Sequence, residues 1–201
     1  MKIAVFVSGR GSNLSAILNY PDLKNLIEIV VVVSDKFDCK AFEAAREFGI
    51  LTLTVGDGEG RIPQNSISAA LKNLGVNFIV LAGYLKLIPN DLIENFENRI
   101  INIHPALLPS FGGKGMYGLN VHRAVFNSSV KVSGVTVHMV DKNYDTGKII
   151  AQRCVDISDV KNPEEIASRV LKIEHQLLPE VVKAFAEKRV KIESDRIVII
   201  N

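Results

Sequence analysis

Apolar and polar positions alternate in blocks along the first half of the chain. The continuous apolar runs cover residues 2–7, 27–33, 50–55 and 77–82. Such runs are typical of parallel strands that are buried on both faces. Stretches with helical spacing of apolar residues lie between them, at about 12–20, 40–48 and 64–74. This strand–helix order predicts an α/β fold built on a doubly wound, mostly parallel sheet.

The second half of the chain has a different pattern. Its strand-like runs lie at 99–103, 132–140 and 148–155, and they are separated by loops. Little helix is visible between them apart from a stretch at about 120–127. Because parallel pairing requires long crossover connections, we predict an antiparallel part of the sheet in this half.

A strong helix start follows at Asn162, where asparagine can cap the helix, proline fits the first turn and two glutamates face the positive end of the helix dipole. This helix is predicted to run toward Arg189 and to be kinked or restarted at Pro179. The tail, at 190–192 and 197–200, predicts a short hairpin. No linker or internal repeat is visible, so residues 1–201 are predicted to form one domain.

Composition and charge narrow the class of protein. The chain has 201 residues, of which 47% are apolar and 23% charged, and its formal net charge is +2. The near-neutral charge argues against a nucleic-acid or membrane-surface partner. Neither a signal peptide nor an apolar run long enough to span a bilayer is visible. We therefore expect a cytoplasmic protein whose two cysteines, Cys39 and Cys154, are reduced, packed thiols.

The first strand ends in a glycine-rich loop, Ser8-Gly9-Arg10-Gly11-Ser12-Asn13-Leu14. A loop of this kind before a helix lets backbone N–H groups and the helix dipole hold a phosphate, and Ser12 and Asn13 can add hydrogen bonds. The alternative is a tight turn in which Ser12 caps the helix. A dinucleotide site with Asp35 as the ribose-binding acid is a second alternative, but Leu14 occupies the position of the third glycine. The loop therefore favours a mononucleotide phosphate.

The segment Ile100-Ile101-Asn102-Ile103-His104-Pro105 contains the strongest catalytic pattern. Residues two apart on a strand project from the same face, so Asn102 and His104 are predicted to point together. An amide donor beside an imidazole can stabilise an oxyanion and transfer a proton. His138, in a strand of alternating character, is interpreted as a packed, hydrogen-bonded residue rather than a catalyst, and His122 as peripheral.

An acidic loop at 141–147 follows. It differs from a calcium-binding EF-hand loop, since Thr146 and Gln152 stand where that motif requires glycine and glutamate, so we predict no metal. Asp145 is predicted to pair with His104. Because a neighbouring anion favours imidazolium, we expect the pKa of His104 to be raised by about one unit or more. His104 could then donate a proton near neutral pH.

Together these segments resemble the phosphoribosylglycinamide formyltransferase family. The resemblance rests on the glycine-rich loop, the Ala82-Gly83-Tyr84 turn, the run 102–109, and the segment 134–138 that leads to Asp145-Thr146-Gly147. It covers about residues 1–190. The resemblance implies direct transfer of the formyl group of 10-formyltetrahydrofolate, as co-substrate, to the amine of glycinamide ribonucleotide in purine biosynthesis, without a metal.

The resemblance also implies site residues and a cis peptide at Leu108-Pro109. The catalytic residues would be Asn102 and His104, which stabilise the oxyanion, and Asp145, which orients and charges His104. The residues that would hold the ribonucleotide are Gly11, Ser12, Asn13, Gly83 and Glu174. The pterin pocket would be formed by Leu85, Lys86, Leu87, Ile88, Asn102, Val140 and Asp141.

The same resemblance divides the domain into a nucleotide-binding half at about 1–100 and a folate and catalytic half at about 101–190, followed by the hairpin tail. The protein would act as a monomer or homodimer. Three features depart from the family pattern. Leu171 stands where the family often has a polar residue, no equivalent of an arginine after the third strand can be placed, and the loop at 112–118 is longer than in some relatives. The glycines of that loop suggest a mobile flap, from which Lys114 could reach an anion.

Alternatives remain open at this point. Within the class, they are a methionyl-tRNA formyltransferase and a formyltetrahydrofolate hydrolase, although the chain lacks room for the extra domain that each normally carries. Outside the class, the alternative is a nucleotide-binding module without catalysis. The presence of Asn102, His104 and Asp145 argues against such a module.

Overall fold

The computed structural model describes residues 1–200 and groups the chain into two compact units, Met1–Asn102 and Ile103–Asn201. The boundary falls close to residue 100, where the sequence analysis divides the nucleotide half from the folate and catalytic half. That the whole chain is a single domain stays a prediction.

The first unit is built on parallel strands. These are β1 (Lys2–Val7), β2 (Glu28–Ser34), β3 (Leu51–Thr54), β4 (Phe78–Leu81) and β5 (Ile100–His104), the last of which continues into the second unit. Their order is β3-β2-β1-β4-β5, and all neighbouring pairs are parallel. The order reverses between β1 and β4. In α/β sheets, the carboxyl ends of strands at such a reversal form the usual place for a ligand.

Helices connect these strands. They are α1 (Ser12–Leu18), α2 (Ala41–Glu47), α3 (Ile67–Asn73) and α4 (Asn90–Asn95). The first three confirm the predicted helices, whereas α4 was not predicted, because six residues are too few to show helical periodicity. Five of the six residues of β1 are buried, which is why its apolar run is continuous rather than alternating.

The second unit contains an antiparallel pair, β6 (Val132–Met139) and β7 (Ile149–Asp156). Helix α5 (Leu119–Asn127) packs against α6 (Pro163–Ala186), which also contacts both strands of the pair. The tail forms the predicted hairpin from β8 (Val190–Ile192) and β9 (Ile197–Ile199). The predicted fold class, an α/β protein with mostly parallel strands and an antiparallel part in the C-terminal half, is confirmed.

Helix α6 begins where the sequence predicted. The Asn162 side chain accepts a hydrogen bond from the Glu165 N–H at 2.9 Å, and the Glu165 carboxylate accepts one from the Lys161 N–H at 3.0 Å. The helix runs uninterrupted through Pro179, so the predicted restart there is wrong. Buried residues on both sides of the proline, including Leu178 and Val182, hold the helix in place by packing.

The two cysteines differ in their surroundings. Cys39 is buried and its thiol donates to the Gly9 carbonyl at 3.2 Å. Cys154 is exposed, so the prediction that it is packed is wrong. It lies on β7, where exposed and more buried residues alternate because successive side chains point to opposite faces. Of the helices within residues 1–200, none is both long and apolar enough to cross a bilayer.

Candidate active site

The turn after β5 is fixed by a buried threonine on β6. The Thr136 hydroxyl accepts from the Leu108 N–H at 3.0 Å and donates to the Ala106 carbonyl at 2.7 Å. The Gln152 side chain donates to the same hydroxyl at 2.9 Å. The peptide bond between Leu108 and Pro109 is cis, as predicted. This network fixes the turn that follows β5. His104, the last residue of β5, is buried at 3% exposure.

Asp145 lies at the centre of a cluster of polar groups in the second unit. Its Oδ2 is 3.5 Å from His104 Nδ1, and its Oδ1 is 3.5 Å from His138 Nε2. Oδ2 also accepts a hydrogen bond from the Gly113 N–H at 2.9 Å. The structure therefore brings together His104 and Asp145, as the sequence predicted, and adds His138. Asn102 stands two residues before His104 on the same strand and is half-buried.

The segment 111–113 supplies backbone contacts to both residues of the pair. The Phe111 carbonyl lies 2.9 Å from His104 Nε2, and Gly113 holds Asp145. A Cβ on Gly112 would lie 2.5 Å from Leu108 Cδ2 and 3.2 Å from Asp145 Cβ, so a larger residue there would displace the Leu108 side chain and crowd Asp145. These contacts were not predicted from the sequence. The glycines of the 112–118 loop were the available signal, but they were interpreted as a sign of mobility.

The contacts of His104 define its protonation. A carbonyl only accepts hydrogen bonds, so Nε2 carries the hydrogen that faces Phe111. Nδ1 faces a carboxylate, which also only accepts when ionised. Both ring nitrogens therefore lie against acceptors, and a substrate must displace one of these contacts to receive a proton from His104.

The pKa of His104 contradicts the expectation from the sequence. Burial lowers this pKa, and the neighbouring His138 lowers it further. Asp145 and the Phe111 carbonyl raise it, but they do not overcome the burial, and the pKa lies below its ordinary value. The prediction of a raised pKa is wrong because it counted the anion and omitted the cost of desolvating a buried imidazolium.

The pKa of Asp145 is lowered. Burial alone would raise it, but the hydrogen bond from His138, the charge of His104 and the Gly113 N–H together outweigh the burial. Asp145 is therefore ionised across the neutral range.

A cavity of about 340 Å³ adjoins this cluster. It is lined by Leu108, Pro109, Gly112, Gly113, Tyr144, Asp145, Thr146, Gly147 and Ile149. Among the lining residues that the structure describes, Asp145 alone carries a carboxylate, so a proton acceptor faces an otherwise uncharged wall. The predicted folate residues Val140 and Asp141 are half-buried and lie where the acidic loop at 141–147 begins. The Asp141 carboxylate accepts hydrogen bonds from the Asn143 N–H and the Thr146 hydroxyl, and so closes the loop.

The glycine-rich loop of the first unit has the geometry of a close backbone turn. Gly11 precedes α1 with a φ of +76°, and a Cβ there would lie 2.5 Å from Ala41 Cβ. No side chain caps the helix, so the alternative in which Ser12 acts as the cap is wrong. Asn13 is buried and Ser12 half-buried.

Ser8 connects three strand ends within the first unit. Its N–H donates to the Gly83 carbonyl at 3.1 Å, and its hydroxyl accepts from the Leu85 N–H at 3.0 Å. The same hydroxyl donates to Asp35 Oδ1 at 2.6 Å. Ser8 was quoted in the motif but given no role. Burial and the nearby Asp35 also raise the pKa of Tyr84. Asp35, weighed above as a ribose-binding acid, thus binds the loop itself.

The remaining predicted residues differ in exposure. In the first unit, Leu85 and Leu87 are 40% and 45% exposed and Lys86 is exposed, whereas Ile88 is buried at 4%. The Ile88 side chain therefore belongs to the core. Glu174, on α6 of the second unit, is buried at 8% exposure, which is uncommon for a carboxylate and typical of a functional or fully paired one.

His122, on α5, is buried rather than peripheral, so that prediction is wrong. Within residues 1–200 its Nδ1 has no hydrogen-bond partner. Burial and the neighbouring His104 lower its pKa from 6.5 to about 4. In the unfolded chain His122 binds a proton once the pH falls below its ordinary pKa, whereas in the folded protein it binds one only near the lowered pKa of about 4. Proton binding therefore favours the unfolded chain at acidic pH. The free energy of unfolding is unaffected above the ordinary pKa and decreases as the pH falls below it.

We expect His122→Gln to reduce the acid sensitivity of the fold. Between about pH 7 and about pH 4.5 the wild type should lose about 2 kcal/mol more free energy of unfolding than the variant. Urea unfolding followed by circular dichroism across this range measures the difference. Parallel pH profiles for the two proteins would contradict the role of His122.

Comparison with known proteins identifies the family of this chain. The model of the formyl transferase family matches residues 1–182. The chloroplastic phosphoribosylglycinamide formyltransferase of Arabidopsis thaliana is 46% identical over 206 residues, covering 100% of this chain and 70% of that protein. The phosphoribosylglycinamide formyltransferase of Bacillus subtilis is 38% identical over 187 residues, covering 90% of this chain and 93% of that protein.

A solved structure is similar over the same length. Glycinamide ribonucleotide transformylase 1 from Symbiobacterium toebii superposes with a TM-score of 0.89 at 35% identity, covering 100% of this chain and 94% of that chain. The family match covers most of the chain, and the structural similarity extends over its full length. The chain belongs to the formyl transferase family.

Proposed function

We propose that this protein transfers the formyl group of 10-formyltetrahydrofolate to the amine of glycinamide ribonucleotide, a step of purine biosynthesis. The observation that carries the proposal is the ionised Asp145, which contacts His104 and faces a cavity. The names of the relatives in Arabidopsis thaliana and Bacillus subtilis identify the acceptor as glycinamide ribonucleotide.

The chemistry needs two proton movements. The acceptor amine attacks the formyl carbon, so a C–N bond forms and the carbonyl oxygen becomes an oxyanion. The amine loses a proton, the bond from the formyl carbon to the folate nitrogen breaks, and that nitrogen gains a proton. Asp145, as the carboxylate in the cavity wall, supplies the acceptor for the first proton. The Asn102 amide supplies a donor for the oxyanion.

His104 has a second role in this proposal. As imidazolium it donates to Asp145 through Nδ1, and it can give a proton to the intermediate when the Phe111 carbonyl releases Nε2. The lowered pKa of His104 makes its protonated form a stronger acid than a free imidazolium, which suits donation but requires that the proton arrives during the reaction. The proton that Asp145 takes from the amine is such a source.

A formyl-transfer assay tests the proposed function. The protein is mixed with 10-formyltetrahydrofolate, and tetrahydrofolate release is measured with and without glycinamide ribonucleotide. We expect release only with the ribonucleotide. Release without it would replace the proposal with the hydrolase alternative, and no release in either case would favour the nucleotide-binding module.

We expect Asn13→Ala to raise the KM for the ribonucleotide about 10-fold, because a lost hydrogen bond to a charged phosphate costs roughly the energy of one tenfold step in affinity. The value of kcat should change little, since the phosphate is remote from the transferred carbon. Asn19→Ala is a matched control at the other end of α1, where the Asn19 amide donates only to the Ser15 carbonyl. Equal KM values for the two variants would contradict the phosphate role of Asn13.

The same proposal assigns the ribonucleotide to Gly11, Ser12, Gly83 and Glu174 as well as Asn13. The 85–88 backbone and the 140–141 segment are assigned to the folate. The predictions of a cytoplasmic location and of a monomer or homodimer also stay predictions. Relatives in plants are named as chloroplastic.

A further inference from the structure

His138 is buried in β6 beside the candidate active site, at 2% exposure. Its Nδ1 lies 2.7 Å from the carbonyl of its own neighbour Met139, and its Nε2 lies 3.5 Å from Asp145 Oδ1. It is not among the residues that line the cavity. His138 therefore contacts the carboxylate of Asp145, which lines that cavity, without lining the cavity itself.

The hydrogen-bond chemistry of His138 repeats that of His104. The Met139 carbonyl only accepts, so Nδ1 carries a hydrogen. A neutral ring would then present an unprotonated Nε2 to the carboxylate, with two acceptors facing each other. Only the doubly protonated ring donates to both partners.

Each oxygen of Asp145 thus has its own imidazole, with His104 at Oδ2 and His138 at Oδ1. The Gly113 N–H adds a third contact, at Oδ2. Asp145 itself has a left-handed φ of +57°, a conformation that is uncommon outside glycine but that aspartate adopts more readily than most residues. Without His138, the Oδ1 side of the carboxylate would lose the imidazole that faces it.

We propose that His138 is a positioning residue that fixes the orientation and charge of Asp145 for formyl transfer. This role rests on the proposed function. The titratable groups that face the cluster are Asp145, His104 on β5 and His122 on α5. His138 acts through Asp145 alone, so its removal should alter the proton transfer and leave ribonucleotide binding intact.

Two substitutions separate the two contacts of His138. His138→Asn keeps an amide nitrogen at the position of Nδ1, toward Met139, and removes the donor to Asp145. His138→Gln places an amide nitrogen at the position of Nε2 and restores that donor. Ser133→Ala, on the same strand, is the matched control, because the Ser133 hydroxyl has no hydrogen-bond partner within residues 1–200.

The test measures kcat and KM across pH in the full chain, together with the carboxyl pKa of Asp145 by carbon-13 NMR. For His138→Asn we expect kcat to fall about 10-fold at unchanged ribonucleotide KM. The Asp145 pKa and the acidic limb of the kcat profile should both move to higher pH. His138→Gln should recover most of both properties, and Ser133→Ala should match the wild type.

Two results would overturn the role of His138. One is an unchanged Asp145 pKa in a folded His138→Asn protein. The other is an equal loss of kcat in the asparagine and glutamine variants without a shift in pH profile, which marks a purely structural residue. The NMR pKa needs no substrate. A wild-type protein that fails to transfer formyl groups would therefore overturn the proposed function while the NMR result still decides the position of His138.

Discussion

Replacing Asp145 by asparagine should lower kcat about 10³- to 10⁴-fold and leave the ribonucleotide KM within about twofold of wild type, by analogy with the loss of the carboxylate in a catalytic triad. Asparagine preserves the size of the side chain, but an amide carries no charge and cannot take a proton from the attacking amine. It would also present an N–H group to one of two imidazoles that now face a carboxylate.

Steady-state kinetics with both substrates measure this effect. Asp156→Asn is the matched control, because Asp156 is an aspartate of the same unit whose carboxylate bonds Ser158 and does not line the cavity. We expect wild-type kcat for that variant. A loss below about tenfold for Asp145→Asn would place the essential proton acceptor elsewhere.

Replacing Gly134 by alanine should lower the free energy of unfolding by about 3 kcal/mol, the upper range for overpacking. Gly134 on β6 lies opposite Cys154 on β7. A Cβ there would lie 2.2 Å from the Arg153 carbonyl oxygen and 3.0 Å from Cys154 Cα, both of them backbone atoms. These atoms can move away only if the ladder between the strands is disturbed.

Urea unfolding followed by circular dichroism measures this loss. Ser133→Ala again provides the control, at the adjacent residue on β6. Because its buried hydroxyl has no hydrogen-bond partner within residues 1–200, we expect a change of at most about 0.5 kcal/mol. If Gly134→Ala were as stable as Ser133→Ala, the tight contact between β6 and β7 would not be a constraint on residue 134.

Burial explains why the pKa shift of His104 was predicted with the wrong sign. The pair of His104 and Asp145 could be predicted from a motif, but the sign of the His104 pKa shift could not. That sign depends on how much water the surrounding chain removes from the imidazole, and a sequence does not show which residues surround it. The same reason applies to His122, which a sequence places at the start of a helix but not in the interior.

The backbone contacts of the site were also not predicted from the sequence. The Phe111 carbonyl and the Gly113 N–H contact His104 and Asp145 through atoms that every residue carries. The glycines of the 112–118 loop indicate only that the backbone there can approach other groups closely, not which groups it contacts. His138 was recognised as a hydrogen-bonded residue, yet its partner Asp145 became apparent only when the loop after β6 was seen to fold back on the strand.

The sequence by itself determined the elements and their class. Continuous apolar runs specify buried parallel strands and the Asn162 cap specifies the start of α6, whereas the shared face of Asn102 and His104 stays a prediction from their spacing on one strand. These are local properties, set by the periodicity and chemistry of neighbouring residues. Tertiary structure alone decided the continuity of α6 through Pro179, the exposure of Cys154 and the proton balance around Asp145. Each of these depends on packing between residues that are distant in the chain, and burial there outweighs the local preference.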